Sequence, residues 1–277
     1  MSGAEPRSVP APLTSLRAEV LAALRGVIFD VDDTLTRDGV LEAEAYAALH
    51  ELAEAGLVLA AVTGRPLGWA DVYAQQWPVA FSVGENGAGW ASRHGGSFRI
   101  GYADDDLTRR RQRATLERIA ARVAREMPHV RPAADQEARR CDLAFDVGEE
   151  ATLGPTERAA LVALIEAEGA RATTSSVHRP AGPGAWDEAR GARTAAAAVL
   201  GGELPAEHGR WLFVGDSGND AAAFAAFSPS VGVANVVDHL PRLASRPAYV
   251  TRNDRGRGFA ELARAILAAR DRAGGAA

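Results

Sequence analysis

The chain contains no lysine: each of its 31 basic residues is an arginine. A side-chain ammonium is therefore excluded from whatever chemistry it performs, and a catalytic cation has to be a guanidinium, which keeps its charge at any working pH. Cys141 is the only cysteine, so no disulfide can form within the chain and a reducing cytoplasm is its natural setting. No apolar run approaches the ~20 residues of a membrane-spanning helix. A formal net charge of −5 gives no general case for nucleic acid or for an anionic membrane as partner. The first dozen residues, with Pro6, Pro10 and Pro12, lack the basic-then-apolar layout of a signal peptide and read as a loose tail. What remains is a soluble globular composition, 277 residues of which 47% are hydrophobic and 24% charged, with room for one large or two modest domains.

One stretch organises the rest. Gly26 to Phe29 is a short run without polar alternation, which suits a strand buried on both faces. It ends in an acid cluster, Asp30-Val31-Asp32-Asp33, followed by Thr34-Leu35-Thr36. In open α/β sheets ligands gather outside the carboxyl ends of the strands, where Asp30 and Asp32 would stand. Leu57 to Val62 reads as a second buried strand, ending at Thr63-Gly64-Arg65-Pro66. A hydroxyl and a glycine N–H just before a helix start make a phosphate cradle, because unpaired N–H groups and the helix dipole face the anion together. Trp211 to Val214 is another buried strand, running into Gly215-Asp216-Ser217-Gly218-Asn219-Asp220.

Between these segments, helices are expected over Leu16 to Leu24, Glu42 to Ala55, Asp104 to Met127, Pro155 to Glu168, Asp187 to Leu200 and Gly258 to Ala269. Strands are expected over Val79 to Val83, Arg140 to Val147, Ala170 to Val177, Ser230 to Ala234 and around Ala248 to Val250, with a hairpin from Trp90 to Ile100 turning at Gly95-Gly96. Strand Arg140 to Val147 alternates, with Cys141, Leu143, Phe145 and Val147 on one face. The basic run Arg109-Arg110-Arg111 with Arg113 follows Asp104, Asp105 and Asp106, and reads as a solvated helix face. Alternating strands and helices imply parallel pairing with right-handed crossovers. The fold class is α/β, a doubly wound parallel-sheet core.

Asp30, Asp32, Asp216 and Asp220 converge if the first strand and the Trp211 strand are neighbours. Two like charges ~4 Å apart repel by about 4 kcal/mol at an effective dielectric near 20. Such a group needs a cation, and oxygen-only donors without clustered His or Cys point to a hard ion, Mg²⁺ rather than zinc.

Asp30-Val31-Asp32-Asp33-Thr34 resembles the first motif of the haloacid dehalogenase superfamily of phosphohydrolases, Asp-x-Asp-x-Thr, with Asp33 where glycine is commoner. Thr63-Gly64-Arg65 and Gly215 to Asp220 are similar to its other motifs, in the right order, and Asn86-Gly87-Ala88 resembles the turn where the chain leaves the core in the branch with a large α/β cap. The resemblance implies an α+β cap inserted in the core: core over 1–84 with 1–12 disordered, cap over 85–186, core again over 187–277. It implies a cytoplasmic phosphatase acting on a small phosphorylated metabolite, a sugar phosphate as in the sucrose-phosphate, trehalose-phosphate and mannosyl-phosphoglycerate phosphatases. Asp30 is then the nucleophile that becomes an aspartyl-phosphate, and Asp32 the general acid and base. Thr63, Gly64 and Arg65 hold the phosphate, Asp30, Asp32, Asp216 and Asp220 the metal, and Asn219 orients them. His178, Arg179 and Trp186 are candidate lining residues near the cap's return.

The chain departs from the family at one position. A lysine is expected after the acid that aligns with Asp187, and Glu188 stands there. Either Arg190 or Arg193 supplies the cation, Arg190 being nearer the helix start, or the site is weakened. The alternatives to a phosphatase are a phosphomutase of the same superfamily and a catalytically weakened phosphate-binding or regulatory homologue.

Overall fold

In the computed structural model, which describes residues 9–94, 96–148, 152–173, 178–202 and 209–275, all five residues of Gly26–Asp30 are buried because alternate side chains enter two different cores. Val27, Phe29 and the following Val31 pack with one apolar set, and Ile28 with another. A strand covered on both faces needs no polar side, which is why the apolar run is unbroken there.

In chain order the elements are β1 (Ala11–Pro12), α1 (Ala18–Ala22), β2 (Gly26–Asp30), β3 (Thr36–Arg37), β4 (Val40–Leu41), α2 (Ala43–Glu54), β5 (Val58–Val62), α3 (Leu67–Gln76), β6 (Phe81–Gly84), β7 (Gly89–His94) and β8 (Ser97–Tyr102). Next come α4 (Asp106–Glu126), β9 (Leu143–Asp146), α5 (Pro155–Ala167), β10 (Arg171–Ala172) and β11 (His178–Gly182). The chain ends with α6 (Glu188–Leu200), β12 (Trp211–Gly215), α7 (Ala221–Ala226), β13 (Ser230–Gly232), β14 (Tyr249–Val250) and α8 (Arg255–Gly274).

Nine strands form one sheet in the order β1-β14-β13-β12-β2-β5-β6-β7-β8. Pairing is parallel from β1 across to β6 and antiparallel through β7 and β8. On one face α2 sets Ala45, Ala48, Leu49 and Leu52, and α8 sets Phe259, Leu262, Ala263 and Ile266, against Val27, Phe29, Leu59 and Val214. Both follow the i, i+3, i+4, i+7 spacing of a helix with one apolar stripe. On the other face α6 meets Ile28, Ala60, Phe81 and Val83 chiefly with small side chains, its buried Ala189, Ala192, Ala195 and Ala196, with partly buried Val199 beside them. Side chains that small bring the helix backbone close to the sheet, and its first turn close to the strand ends. A separate antiparallel sheet, β10-β11-β9, has its own core: Leu116, Ile119 and Val123 of α4, and Leu161, Leu164 and Ile165 of α5, pack with Phe145 of β9.

Several expectations are corrected. The hairpin, β7 and β8, bonds along β6 and widens the main sheet, although its sequence position reads as the start of the inserted unit. Residues 9–12 are not loose: Ala11 and Pro12 pair in parallel with Tyr249 and Val250, while residues 1–8 lie outside the described set. Cys141 does not share a face with Leu143, Phe145 and Val147; it packs with Ala88 and Trp186 in a small cluster of its own. The strand begins only at Leu143, because the three residues before it give their N–H groups, those of Arg140, Cys141 and Asp142, to the Glu85 carboxylate. The strand expected up to Val177 is described only at Arg171–Ala172, with residues 174–177 outside the described set, as is Gly95 of the hairpin turn. The strand at His178–Gly182 was not among the expected elements. No described helix is long and apolar enough to cross a membrane.

Candidate active site

β2 lies between β12 and β5, all three parallel, with Phe29 opposite Val214 and Asp30 opposite Val62. Asp30, Thr63 and Asp216 therefore leave the sheet at one carboxyl edge, where an open α/β sheet presents its crevice. The loop after β12 folds back on itself. A Cβ on Gly215 would fall 2.5 Å from the Asp220 carboxyl carbon, so only glycine lets that acid tuck against the strand end. Asp220 Oδ2 then accepts the N–H groups of Asp216 and Ser217, both at 2.8 Å. Asp216 Oδ2 accepts from Asn235 Nδ2 at 2.9 Å, and the same amide donates to the Asp33 carbonyl at 3.0 Å. Sequence reasoning missed Asn235. It lies three residues beyond the end of β13, and the parallel pairing of β13 beside β12 was the signal that could have placed it at this edge.

Asp33 stands where the resembled motif more often has glycine, and its φ of 57° shows why. The turn needs a left-handed residue, a region that glycine enters freely and aspartate tolerates. Its carboxylate accepts from Arg255 Nε at 2.9 Å.

The start of α6 brings a further acid into the group. Gly87 and Gly191 let the helix touch the turn after β6: a Cβ on Gly87 would lie 2.1 Å from the Asp187 carbonyl, and one on Gly191 2.4 Å from the Gly87 Cα. Asp187 caps the helix through the Arg190 N–H, which leaves Glu188 in the first turn pointing inward, 1% exposed. Its Oε1 accepts from Asn219 Nδ2 at 2.8 Å. Asp30, Glu188 and Asp220 each offer a carboxylate oxygen within 4.8 Å of the others. Of the four acids expected to share one metal, Asp32 and Asp216 are outside this tight group, and Glu188 is inside it.

Burial pushes the Asp30 carboxyl well above its ordinary value, and the charges on Asp220, Glu188, Asp216 and Asp32 push it further. Asp216 is raised by burial and by Asp220 and Asp33, and Asp220 by burial and Glu188. Burial also raises Glu188, against the pull of its bond from Asn219. At ~5 Å and an effective dielectric near 20, each ionised pair repels by about 3 kcal/mol. Ionising the group at neutral pH thus requires compensating positive charge.

Asp32 takes a different partner. Arg65 donates from Nε and Nη2 to its two oxygens, at 2.9 and 3.0 Å, and lies over the Trp69 ring. Thr63 is fully buried, and its hydroxyl accepts the Arg65 N–H at 3.0 Å. Pro66 serves as N-cap of α3. The segment before β9 presses on this turn: Arg139 Nη1 donates to the Gly64 carbonyl at 3.2 Å, and Asp135 reaches Arg65 at 3.8 Å. Asp142 pairs with Arg139, yet burial pushes it up to about 7. Glu85, fully buried, accepts the N–H groups of Leu67, Arg140, Cys141 and Asp142. Neither Arg139 nor Glu85 was foreseen, since both act between segments distant in sequence.

The two arginines expected to replace the lysine do not reach the acids. Arg190 is exposed and donates to the Ala185 carbonyl, and Arg193 donates to the Ala226 carbonyl and lies over Phe227. Arg179 is buried within the three-stranded sheet, opposite Phe145, and His178 stands opposite Asp146 in the same strand. Trp186 is buried against Ala88 and Cys141.

A model of the haloacid dehalogenase-like hydrolase family matches residues 27–96. Among solved structures the chain is similar to a Thermoplasma acidophilum protein, at 17% identity and a TM-score of 0.68, over 88% of this chain and 98% of that one. It is similar to the C-terminal domain of C. albicans trehalose-6-phosphate phosphatase, at 13% identity and a TM-score of 0.67, over 95% and 99% of the two chains. Sucrose-phosphatase from Synechocystis, solved with sucrose and phosphate, matches at 16% identity and a TM-score of 0.62, over 88% and 98%. No curated protein matches the sequence. The chain thus shares the fold of these solved structures, and the segment matched by the hydrolase family model contains Asp30, Asp32, Thr63, Gly64 and Arg65.

Proposed function

We propose that this chain, with the haloacid dehalogenase-like hydrolase signature on the fold of sugar-phosphate phosphatases, is a Mg²⁺-dependent phosphohydrolase acting on a small phosphorylated metabolite. The observation that carries the reading is Asp30: buried at the strand edge, it has one oxygen, Oδ2, with no hydrogen-bond partner, beside Thr63-Gly64 and the Asp216 loop. A sugar phosphate is the preferred substrate class, because the neighbours in fold include proteins named for trehalose-6-phosphate and sucrose.

The buried Asp30 Oδ2 and Asp220 Oδ1, both without donors, fit a hard oxygen-binding ion, and Asp30, Asp216 and Asp220 are the residues that would hold it. When bound, Mg²⁺ supplies the positive charge that lets a carboxylate approach a phosphate dianion. The chain's own groups do the rest. An Asp30 oxygen attacks phosphorus in line, forming the aspartyl-phosphate as the bond to the substrate oxygen breaks. Asp32 gives a proton to the departing alkoxide, then takes one from the water that attacks phosphorus and frees Asp30 and inorganic phosphate. Arg65 holds Asp32 by both oxygens and so fixes its direction. Thr63 and Gly64 take the phosphoryl oxygens. Residues 103–186, with the three-stranded sheet, act as the cap that selects the substrate, its junction to the core held by Glu85 and Arg139.

The test is phosphate release from p-nitrophenyl phosphate and from a panel of phosphorylated sugars, with and without Mg²⁺. Asp30→Asn is expected to abolish release and covalent labelling by phosphate. Retention of more than a few per cent of turnover in that variant removes Asp30 as the nucleophile. The second reading, a weakened phosphate-binding homologue, is favoured only by Glu188, and Mg²⁺-dependent turnover by the parent eliminates it.

A further inference from the structure

Glu188 occupies the position where the resembled motifs carry a lysine, and the two arginines that could have substituted for it face elsewhere. A carboxylate there reverses the expected sign, yet the structure buries it fully against two other acids. The three come from separate elements: Asp30 ends β2, Glu188 begins α6, and Asp220 closes the loop after β12. Each offers one oxygen to a common point within 4.8 Å. Each also keeps one buried oxygen that meets no donor among the described residues: Asp30 Oδ2, Glu188 Oε2 and Asp220 Oδ1. Their other bonds hold them in place, Glu188 through Asn219 and Asp220 through two backbone N–H groups.

The charges at this edge divide in two. Asp32 is paired with Arg65 and Asp33 with Arg255, whereas among the described residues no arginine pairs with Asp30, Glu188, Asp216 or Asp220. One divalent ion neutralises only half of those four carboxylates. We propose that Asp30, Glu188 and Asp220 hold a second hard divalent cation of the Mg²⁺ class, which stands in place of the absent lysine ammonium. The donors are all carboxylate oxygens, as such an ion prefers, and Asp30 and Asp220 would belong to the donor sets of both ions. Bridged pairs of ions are an established way to hold charge around a phosphoryl group. The proposal takes its first ion from the function proposed above but does not require the reaction. A proton shared between Glu188 and Asp220, whose carboxyls face one another, is the competing arrangement.

Ion counting separates them. The full chain, stripped with a chelator, is titrated with Mn²⁺ near neutral pH, and the free ion is followed by electron paramagnetic resonance. The parent is expected to bind two ions. Glu188→Gln is expected to bind one, and Glu188→Lys also one, with an ammonium where the second ion stood. A parent that binds a single ion, as the shared proton requires, overturns the proposal, and so do variants that still bind two. The parent count needs no variant, so a substitution that fails to fold leaves the test intact. Two bound ions without hydrolysis of any phosphorylated compound would sink the proposed function and leave the second site standing. Turnover with one ion would do the reverse.

Discussion

Replacing Glu85 with glutamine changes one atom at a point where four backbone N–H groups converge. Oε1 accepts from Leu67 and Arg140, each at 2.8 Å, and Oε2 from Cys141 at 2.6 Å and Asp142 at 2.8 Å. The residue is fully buried, so water cannot serve instead. An amide keeps one oxygen and puts an NH₂ group where the other was. Whichever way it turns, two N–H donors lose their acceptor and face another donor. A buried donor left unsatisfied costs about 1–3 kcal/mol, and relief from burying a charge offsets part of the loss. The expected destabilisation is about 4 kcal/mol. With about 2.1 cal/mol/K per residue of unfolding entropy, that is a fall in Tm of about 7 °C for a chain of this length. Scanning calorimetry measures the fall, and hydrogen exchange locates it: amides 140–142 should lose protection first, while those of β2 and β12 hold theirs. A Tm within 2 °C of the parent, with protection at 140–142 unchanged, would refute the reasoning.

Arg65→Ala removes both N–H groups from Asp32, and turnover of a sugar phosphate, whose alkoxide needs a proton to leave, should fall by about ten- to a hundredfold as the proton donor loses its orientation. Arg65→Lys keeps the charge without the fork and should lie between the two; parent-like rates in both would show that Arg65 does not direct Asp32. The acid group also sets a pH dependence. Asp30, Asp216, Asp220 and Glu188 all have raised values in the fold, so the native chain holds protons that the unfolded chain has released above the ordinary carboxyl range of 3.8 to 4.5. Stability without metal must then fall as pH rises from that range toward the raised values of the folded chain. Chelated protein should melt higher at about pH 5 than at about pH 8, and Mg²⁺ should raise the Tm chiefly at the alkaline end. A chelated Tm that climbs between those values would contradict the shifts.

The strand ends and their acids were legible from the chain because they are local. An apolar run buried on two faces must stop where charge begins, so Asp30, Thr63 and Asp216 fell at strand ends however the sheet was assembled. Helix starts were equally local, and Asp187 caps α6 as its residue type suggests. Tertiary structure alone decided which groups meet. A hairpin has the same pattern whether it joins one sheet or another, and only the open edge of β6 brought β7 and β8 into the main sheet. Successive residues on a helix are turned by about 100°, so the docking of α6 through Gly87 and Gly191 determined that Glu188, not Arg190, faces the acids. Arg65 found Asp32, and Asn235 found Asp216, across separations of 33 and 19 residues that no periodicity spans. The chain's own order supplied the acids. Long-range packing determined their partners, and with them the uncompensated charge that a bound cation has to balance.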